Sequence, residues 1–369
     1  MQFTIRTSDL VKGLRWVQGV VERKTTMPAL MNVLISTTGK DTAEFTATDL
    51  SISLSGRVPA KVAKAGKVVV SAKRMYEIAN LLPEGDTIVE RQENNWALLK
   101  CGKVQFKLVG VQVEEFPSVV KPTGMKMYRI KVKNLERMIS KTLYAVSTDE
   151  VRRNLNGVYV ETLEGRKVRM VATDGHRLAM IDSDLGGDEV PDIEGVIVPR
   201  KGFAEFRKVV SEGGDEADIG FQPNQIVLDA KEVMITAKLV EGKFPDYSQV
   251  IPKDNNKTLI VKRNTLLDAL KRMSILSVER SYIVMMAVKK GEARISSTDP
   301  NAGEASEEIE VDYGGPDMDI GLNARYVTEA LLTMDSENIR LEMGDELSAV
   351  LIKPASVEEH LCVVMPVRL

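Results

Sequence analysis

The dipeptide Thr-Asp occurs at Thr48-Asp49, Thr173-Asp174 and Thr298-Asp299, each copy 125 residues beyond the last. Each closes a strand-like run: AEFTATD, VRMVATD and ARISSTD. Further landmarks keep the same register. A strand runs into an amphipathic helix in QFTIRTSDLVKGL, YRIKVKNLERMI and LIVKRNTLLDAL, with Asp9, Asn134 and Thr265 expected at the helix N-caps, where a side-chain oxygen can accept from a free backbone N–H. A second strand-to-helix junction is marked by Ser71, Pro199 and Asn323. Phe116-Pro117, Phe244-Pro245 and Met365-Pro366 read as matching ends of the three copies. A chain that repeats itself at this period builds one domain three times.

The Pro- and Gly-bearing stretch KPTGMK, from Lys121 to Lys126, and the stretch IPKDNNK, from Ile251 to Lys257, read as linkers. They give domains over 1–124, 125–255 and 256–369. Within each copy, alternating runs such as TIVERQ and EVMITAKLV predict half-buried antiparallel strands. Apolar stripes at Leu10, Leu14 and Val17, at Leu135, Met138 and Ile139, and at Leu266, Leu270 and Met273 predict helices with one buried face. The expected class is α+β: two helices packed on antiparallel sheet, three times over.

The only cysteines among 369 residues are Cys101 and Cys362, and the only histidines are His176 and His360. Scattered in this way they make neither a disulfide framework nor a zinc site. His360 and Cys362 alternate within an apolar run that reads as a strand. No apolar run reaches membrane-spanning length and the N-terminus lacks a signal-peptide pattern, so a cytoplasmic protein with no membrane partner is expected. No cofactor and no metal are expected.

The net charge is −3, which argues against a purely electrostatic nucleic-acid binder unless positive charge is segregated. It is. The six helical segments (Asp9–Val20, Ala72–Leu82, Asn134–Ala145, Arg200–Glu212, Thr265–Leu276 and Ala324–Met334) together carry +6, leaving −9 elsewhere. A positive helical face suits phosphate contact that positions a duplex without reading it. Aromatic residues make up 5% of the chain, too few to suggest a base-stacking platform. Asp174 and His176 invite a reading as base and orienter, but no nucleophile elbow, phosphate loop or metalloprotease motif accompanies them. Three readings remain open on the residues alone: a DNA-holding ring, an enzyme using the Asp174/His176 neighbourhood, and a repeat scaffold that binds only proteins.

The strings ATDGHRLAM (Ala172–Met180), VPRKG (Val198–Gly202), KLVEGKFPDY (Lys238–Tyr247) and VVMPVRL (Val363–Leu369) resemble the β subunit of bacterial DNA polymerase III, the sliding-clamp family, and the likeness runs end to end. The resemblance implies a non-catalytic processivity factor: a head-to-tail homodimer closed into a ring, helices inside and sheets outside, encircling duplex DNA in the bacterial cytoplasm at the nucleoid. It implies a groove that takes short peptides with apolar anchors from the replicative polymerase, the clamp loader, and other polymerases and repair proteins. On this chain the groove falls on Leu155, Thr173, Gly175, His176, Arg177 and Leu178, on Pro245 and Val250, on Leu347 and Ala349, and on Val363, Val364, Met365, Pro366, Val367, Arg368 and Leu369, with Arg177 and Arg368 offering anion contacts. DNA contacts fall on Arg23, Lys24, Lys73, Arg74, Arg152, Arg153, Arg200 and Lys201. The dimer interface sets Lys103, Phe106, Lys107 and Leu108 against Ile275, Leu276, Glu304 and Glu307. Gln249, Val367, Arg153 and Asn154 depart from a well-known member's residues, which bears on partner and DNA preference.

Overall fold

The computed structural model describes the chain except Arg23, Lys121, Gly213, Val278, Glu279, Arg280, Ser281, Val357, Glu358, Arg368 and Leu369, and the side chains of Ser211 and Glu212. The first copy runs β1 (Gln2–Arg6), α1 (Thr7–Val17), β2 (Asn32–Thr37), β3 (Thr42–Thr48), β4 (Ile52–Pro59), β5 (Lys61–Lys64), β6 (Gly66–Ser71), α2 (Ala72–Ala79), β7 (Asp86–Arg91), β8 (Ala97–Cys101), β9 (Val104–Leu108) and β10 (Gly110–Val111). The second runs β11 (Met127–Lys131), α3 (Val132–Thr142), β12 (Gly157–Leu163), β13 (Lys167–Thr173), β14 (Arg177–Ser183), β15 (Val196–Pro199), α4 (Arg200–Glu212), β16 (Glu216–Gln222), β17 (Gln225–Asp229) and β18 (Val233–Lys238). The third runs β19 (Lys257–Lys262), α5 (Arg263–Met273), β20 (Ile283–Lys289), β21 (Glu292–Asp299), β22 (Gly303–Glu310), β23 (Asp312–Tyr313), β24 (Met318–Asn323), α6 (Ala324–Leu332), β25 (Asn338–Met343), β26 (Val350–Pro354) and β27 (His360–Val364).

Two compact units result. One comprises Met1–Lys133, Gly186–Pro191 and Lys201–Leu239; the other comprises Asn134–Leu185, Asp192–Arg200 and Val240–Leu369. Each is built on an antiparallel nine-stranded sheet shared by two copies of the repeat. In the first unit the order is β10-β6-β2-β3-β4-β18-β17-β16-β11, and in the second it is β15-β12-β13-β14-β27-β26-β25-β19-β23. The first unit also holds a five-stranded sheet, β5-β1-β7-β8-β9, and the second a four-stranded one, β22-β21-β20-β24. The joints between copies follow one rule. The strand after Thr-Asp pairs with the last full strand of the next copy: β4 with β18 (Ile52 opposite Ala237) and β14 with β27 (Arg177 opposite Val364).

The Thr-Asp repeat has a local cause. Thr48 Oγ1 donates to the Ile52 carbonyl at 2.9 Å, and Asp49 Oδ1 accepts from the Ser51 and Ile52 amides at 2.9 and 2.7 Å. Thr173 and Asp174 repeat this on Arg177 and His176, at 2.6 Å to the Arg177 carbonyl and 2.9 and 3.1 Å from the two amides. The side chains thus substitute for backbone partners in a tight hairpin. The third residue of the turn takes a left-handed conformation, free of strain at Gly175 (φ 90°) and adopted by Leu50 (φ 76°) in the first copy.

The apolar stripes are buried as expected: Leu10, Leu14, Val17, Leu135, Met138 and Ile139 are fully covered, and Leu266, Leu270 and Met273 nearly so. Two sequence expectations are corrected. Asp9, Asn134 and Thr265 are third residues of α1, α3 and α5, not caps, and the Arg6 and Lys262 N-caps make no side-chain capping bond. At the second junction two of the marker residues prove to be caps: Ser71 accepts from the Arg74 amide, and Asn323 from those of Arg325 and Tyr326. Nor does Met365-Pro366 match Phe244-Pro245. The Lys238 amide donates to the Ser51 carbonyl at 2.8 Å and the Met365 amide to that of His176 at 2.9 Å, so Met365 stands in the register of Lys238.

Candidate functional site: an apolar groove at one strand joint

Strand alternation sorts the side chains at each joint into a helix-facing set and an outward set. Phe45 and Gly56 meet α1, through Gly13 and Trp16, so Thr46, Ser53 and Ser55 point the other way. At the first joint the outward positions are Thr46, Ser53, Ser55 and, from β18, Thr236; Thr46 and Ser55 share a hydrogen bond at 3.2 Å. At the second joint the same register positions are Val171, Leu178, Met180 and Val363. On the remaining edge strands they are Ser296, Glu304, Ser306 and Lys107. Three quasi-equivalent faces therefore exist, and only the second is apolar.

That face is the floor of a cluster joining Leu155, Val171, Leu178, Met180, Ile197, Phe244, Leu351, Leu361 and Val363, with Tyr159, Val240, Tyr247, Ile251 and Ala349 half-buried against it. Phe244 stacks on Tyr159 at 5.0 Å and Tyr247 tilts against Tyr159 at 6.1 Å. Beside it opens a cavity of about 730 Å³ lined by Val250, Ala349 and Met365 among polar residues from Gln249 to Lys257. Val250 and Met365 are 41% and 40% exposed. Large apolar side chains standing open beside a packed apolar floor suit capture of an apolar anchor.

Of the residues expected in the groove, Leu155, Leu178, Val363 and Ala349 lie in this cluster. Thr173, Gly175 and His176 form the hairpin turn at its end. Pro245 and Leu347 are exposed; Pro366 and Val367 are half-exposed, and the Val367 amide donates to the Gly321 carbonyl at 2.9 Å. Arg368 and Leu369 lie outside the described residues. Two side chains are not where the sequence reading put them. Val364 faces the helices, because it alternates with Val363 on β27. Arg177 does not present a free cation. It is buried, donates to Asp174 Oδ2 at 3.1 Å and to the Tyr144 carbonyl at 2.7 Å, pairs with Glu329, and lies over the Tyr326 ring at 4.6 Å. Burial works against the charged Glu329, but hydrogen bonds from Arg177 and Arg325 outweigh it and hold that carboxyl below its ordinary range. Arg177 thus pins the turn that places His176, whose ring stacks on Tyr326 at 6.3 Å. Val171, Met180, Ile197, Phe244 and the two tyrosines were missed by the sequence reading; alternation on β13 and β14 was the signal for the first two.

The basic residues divide. Lys24, Lys73, Arg74, Arg153 and Arg200 are exposed, with Lys73 and Arg74 in the first turn of α2 and Arg200 opening α4. Arg152 pairs loosely with Asp149 at 3.6 Å, and with Arg200 and His176 it lines a polar cavity of about 410 Å³. Lys201 is bound internally, to the Val20 carbonyl at 3.1 Å, to Glu22 at 3.2 Å and to Asp49. Arg23 lies outside the described residues. Lys103, Phe106, Lys107 and Leu108 sit on or beside β9, an edge strand whose side chains are almost all exposed. Ile275 is 79% exposed, Leu276 half-buried, and Glu304 exposed on the edge strand β22. Glu307 faces the helices and is held by Arg272 at 2.7 Å, so it is not a free partner. Among the described residues no group of three or more potential metal ligands occurs, and no helix is long and apolar enough to cross a membrane.

A repeat of α+β domains with one apolar face open beside a packed floor is the architecture of a protein that docks other molecules. Comparison with known proteins makes this specific. Models of the DNA polymerase III beta subunit match in chain order: the N-terminal domain over residues 1–120, the central domain over 129–246 and the C-terminal domain over 248–368. The beta sliding clamp of Pseudomonas aeruginosa is 36% identical, with both chains covered in full. A Caulobacter crescentus clamp structure superimposes with a TM-score of 0.93 at 34% identity, and a Bartonella birtlesii clamp solved bound to griselimycin with 0.95 at 32%, each over 100% of both chains. The chain belongs to the DNA polymerase III β-subunit family, the bacterial sliding clamps. It is accordingly a non-catalytic processivity factor with three clamp domains.

Proposed function

We propose that two copies of this chain close head to tail around duplex DNA and slide on it, carrying partners in the groove between Val363 and Tyr247. The observation that carries this is a strand count. The two joints inside the chain each make a nine-stranded sheet, and the leftover sheets have five and four strands, with open edges at β9 and β22. These two edges hold the positions that pair at the internal joints, so β22 of one copy meeting β9 of another completes a third nine-stranded sheet by strand addition. Hairpin register sets Glu304 opposite Lys107 and Ala305 opposite Phe106, which keeps helix-facing residues together on both strands. Phe106 and Ile275, exposed in the single chain, supply an apolar centre, and Lys103 and Lys107 face a strand rich in glutamate.

Enclosure explains why a net charge of −3 is compatible with holding DNA. Retention is topological, and exposed Lys24, Lys73, Arg74, Arg152, Arg153 and Arg200 need only weak phosphate contacts that do not stop sliding. Partners are the replicative polymerase, the clamp loader, and other polymerases and repair proteins bearing apolar-anchored peptides, in the bacterial cytoplasm. The domains divide at 124/125 and 255/256. The test is retention: protein loaded on nicked circular DNA should stay bound through gel filtration and leave when the circle is cut. Equal retention on linear DNA with free ends would refute enclosure.

A further inference from the structure

Behind the groove wall, on the same outward face, lies a chain of polar contacts that none of the docking residues requires for its own packing. Arg169 on β13 donates through Nε and Nη2 to the two carboxylate oxygens of Asp182 on β14, both at 2.7 Å. Its third nitrogen, Nη1, donates to the Tyr247 hydroxyl at 3.1 Å. That hydroxyl donates in turn to Glu161 on β12, whose other oxygen accepts from the Tyr159 hydroxyl at 3.1 Å. All three guanidinium nitrogens, both Glu161 oxygens and both tyrosine hydroxyls are engaged. The members are partly buried, so these charge-assisted bonds are shielded from water.

The network ends on the residue that begins the groove wall. Tyr247 opens the short 3-10 turn Tyr247–Gln249, and Asp246 caps it by accepting from the Ser248 amide at 3.1 Å. Val250, the exposed apolar residue at the mouth of the larger cavity, follows directly. The Tyr247 ring packs against the apolar cluster while its hydroxyl is tied directly to β13 and β12 and, through Arg169, to β14. At the first joint the position of Arg169 is Glu44 and that of Asp182 is Arg57, a cross-strand pair at 3.2 Å with the charges exchanged. The cross-strand pair alone is therefore a feature of the sheet; the third bond, to Tyr247, is what the apolar joint adds.

We infer that Arg169 and Glu161 are positioning residues for partner binding: through the Tyr247 hydroxyl they fix the wall from Tyr247 to Val250 in its anchor-ready place. This rests on the groove reading given above. Two variants separate positioning from folding. Tyr247→Phe removes one hydroxyl and keeps the ring. Arg169→Lys keeps a cation opposite Asp182 but cannot hold Asp182 and Tyr247 together. The readout is griselimycin binding to the full-length protein by surface resonance, with thermal unfolding in parallel and Met365→Ala as a control in the groove itself. Both variants should release griselimycin roughly tenfold faster, the equivalent of one hydrogen bond to a charged group, with the unfolding midpoint close to that of the parent. Parental release rates in both, with Met365→Ala weakened, would overturn the positioning role alone. Parental binding by all three would overturn the groove reading as well. A lowered midpoint with unchanged release would reduce the network to a structural one and equally overturn the inference.

Discussion

Buried ionisable side chains in this protein are of two kinds, and they answer pH differently. Arg177 is buried and its guanidinium is satisfied by the half-buried Asp174 and Glu329. His360 is different: only 1% exposed, it has Cys362 Sγ at 3.6 Å from Nε2 and, among the described residues, no geometric hydrogen-bond partner for Nδ1. Burial, and then the cations of Lys141 and Arg137, push its pKa down to about 3, with Asp335 acting weakly the other way. The sign follows from linkage. The unfolded chain takes up a proton below the ordinary histidine pKa of about 6.5, while the folded chain resists until about 3, so acidification through this window favours unfolding. This residue should contribute a slope of about 1.4 kcal/mol per pH unit between those values. Urea unfolding of the parent and of His360→Leu at pH 7, 5 and 4, at one protein concentration, checks it. The variant should lose that part of the slope; identical slopes would mean that His360 titrates normally.

At the scale of single elements, β27 shows how one strand carries two duties. Leu361 and Val363 point into the docking cluster, while His360, Cys362 and Val364 point to the helices, where Cys362 meets the Tyr144 hydroxyl at 2.9 Å. Val363 occupies the register position that Thr236 occupies at the first joint, so the strand geometry accepts a hydroxyl there. Val363 is fully covered in the free chain, so the cost of a buried hydroxyl falls on folding: Val363→Thr should keep the fold and lower its stability by about 1–3 kcal/mol. Urea unfolding decides; parental stability would show that the added hydroxyl finds a partner at this joint. The same strand marks where sequence reading succeeds and stops. Repeat periodicity exposed the Thr-Asp turns because Thr and Asp there perform one fixed hydrogen-bonding task. Periodicity of 3.6 found the buried helix stripes, and chain order found the second strand-to-helix junction at Ser71, Pro199 and Asn323. It misplaced Asp9 and Thr265 because strands β1 and β19 turn straight into helix without a capping side chain, leaving no signal at the true boundary, and Asn134 likewise stands two residues inside α3. It placed Val363 and Val364 together because a family likeness names positions, whereas a two-residue period separates faces. The apolar character of Val171 and Met180 was visible, but its meaning needed the paired strands, which show Thr46 and Ser55 in their places at the first joint.

For the whole molecule, the decisive quantity is the strength of the seam between β22 and β9, because it sets both enclosure and release. The internal joints tell which backbone groups that seam uses. The Lys238 and Met365 amides reach across to the preceding copy at 2.8 and 2.9 Å, and Val109 holds the corresponding position just past β9. Four residues back, the Gln105 N–H points the same way, out from β8 toward the open edge. Gln105→Pro removes that donor while leaving the β8 side of the strand its partners, and proline on an edge strand is the substitution that sheet pairing tolerates least from outside and best from within. The variant should read as a single chain by light scattering at micromolar concentration where the parent reads as two. It should lose retention on nicked circular DNA, because an open arc has no topology to keep. Griselimycin affinity should stay parental, since the docking cluster is built from strands of one chain. A variant that remains dimeric would mean that apolar contacts around Phe106 and Ile275, rather than strand pairing, hold the seam. One that becomes a single chain yet stays on circular DNA would separate retention from closure and require a different account of how this protein holds a duplex.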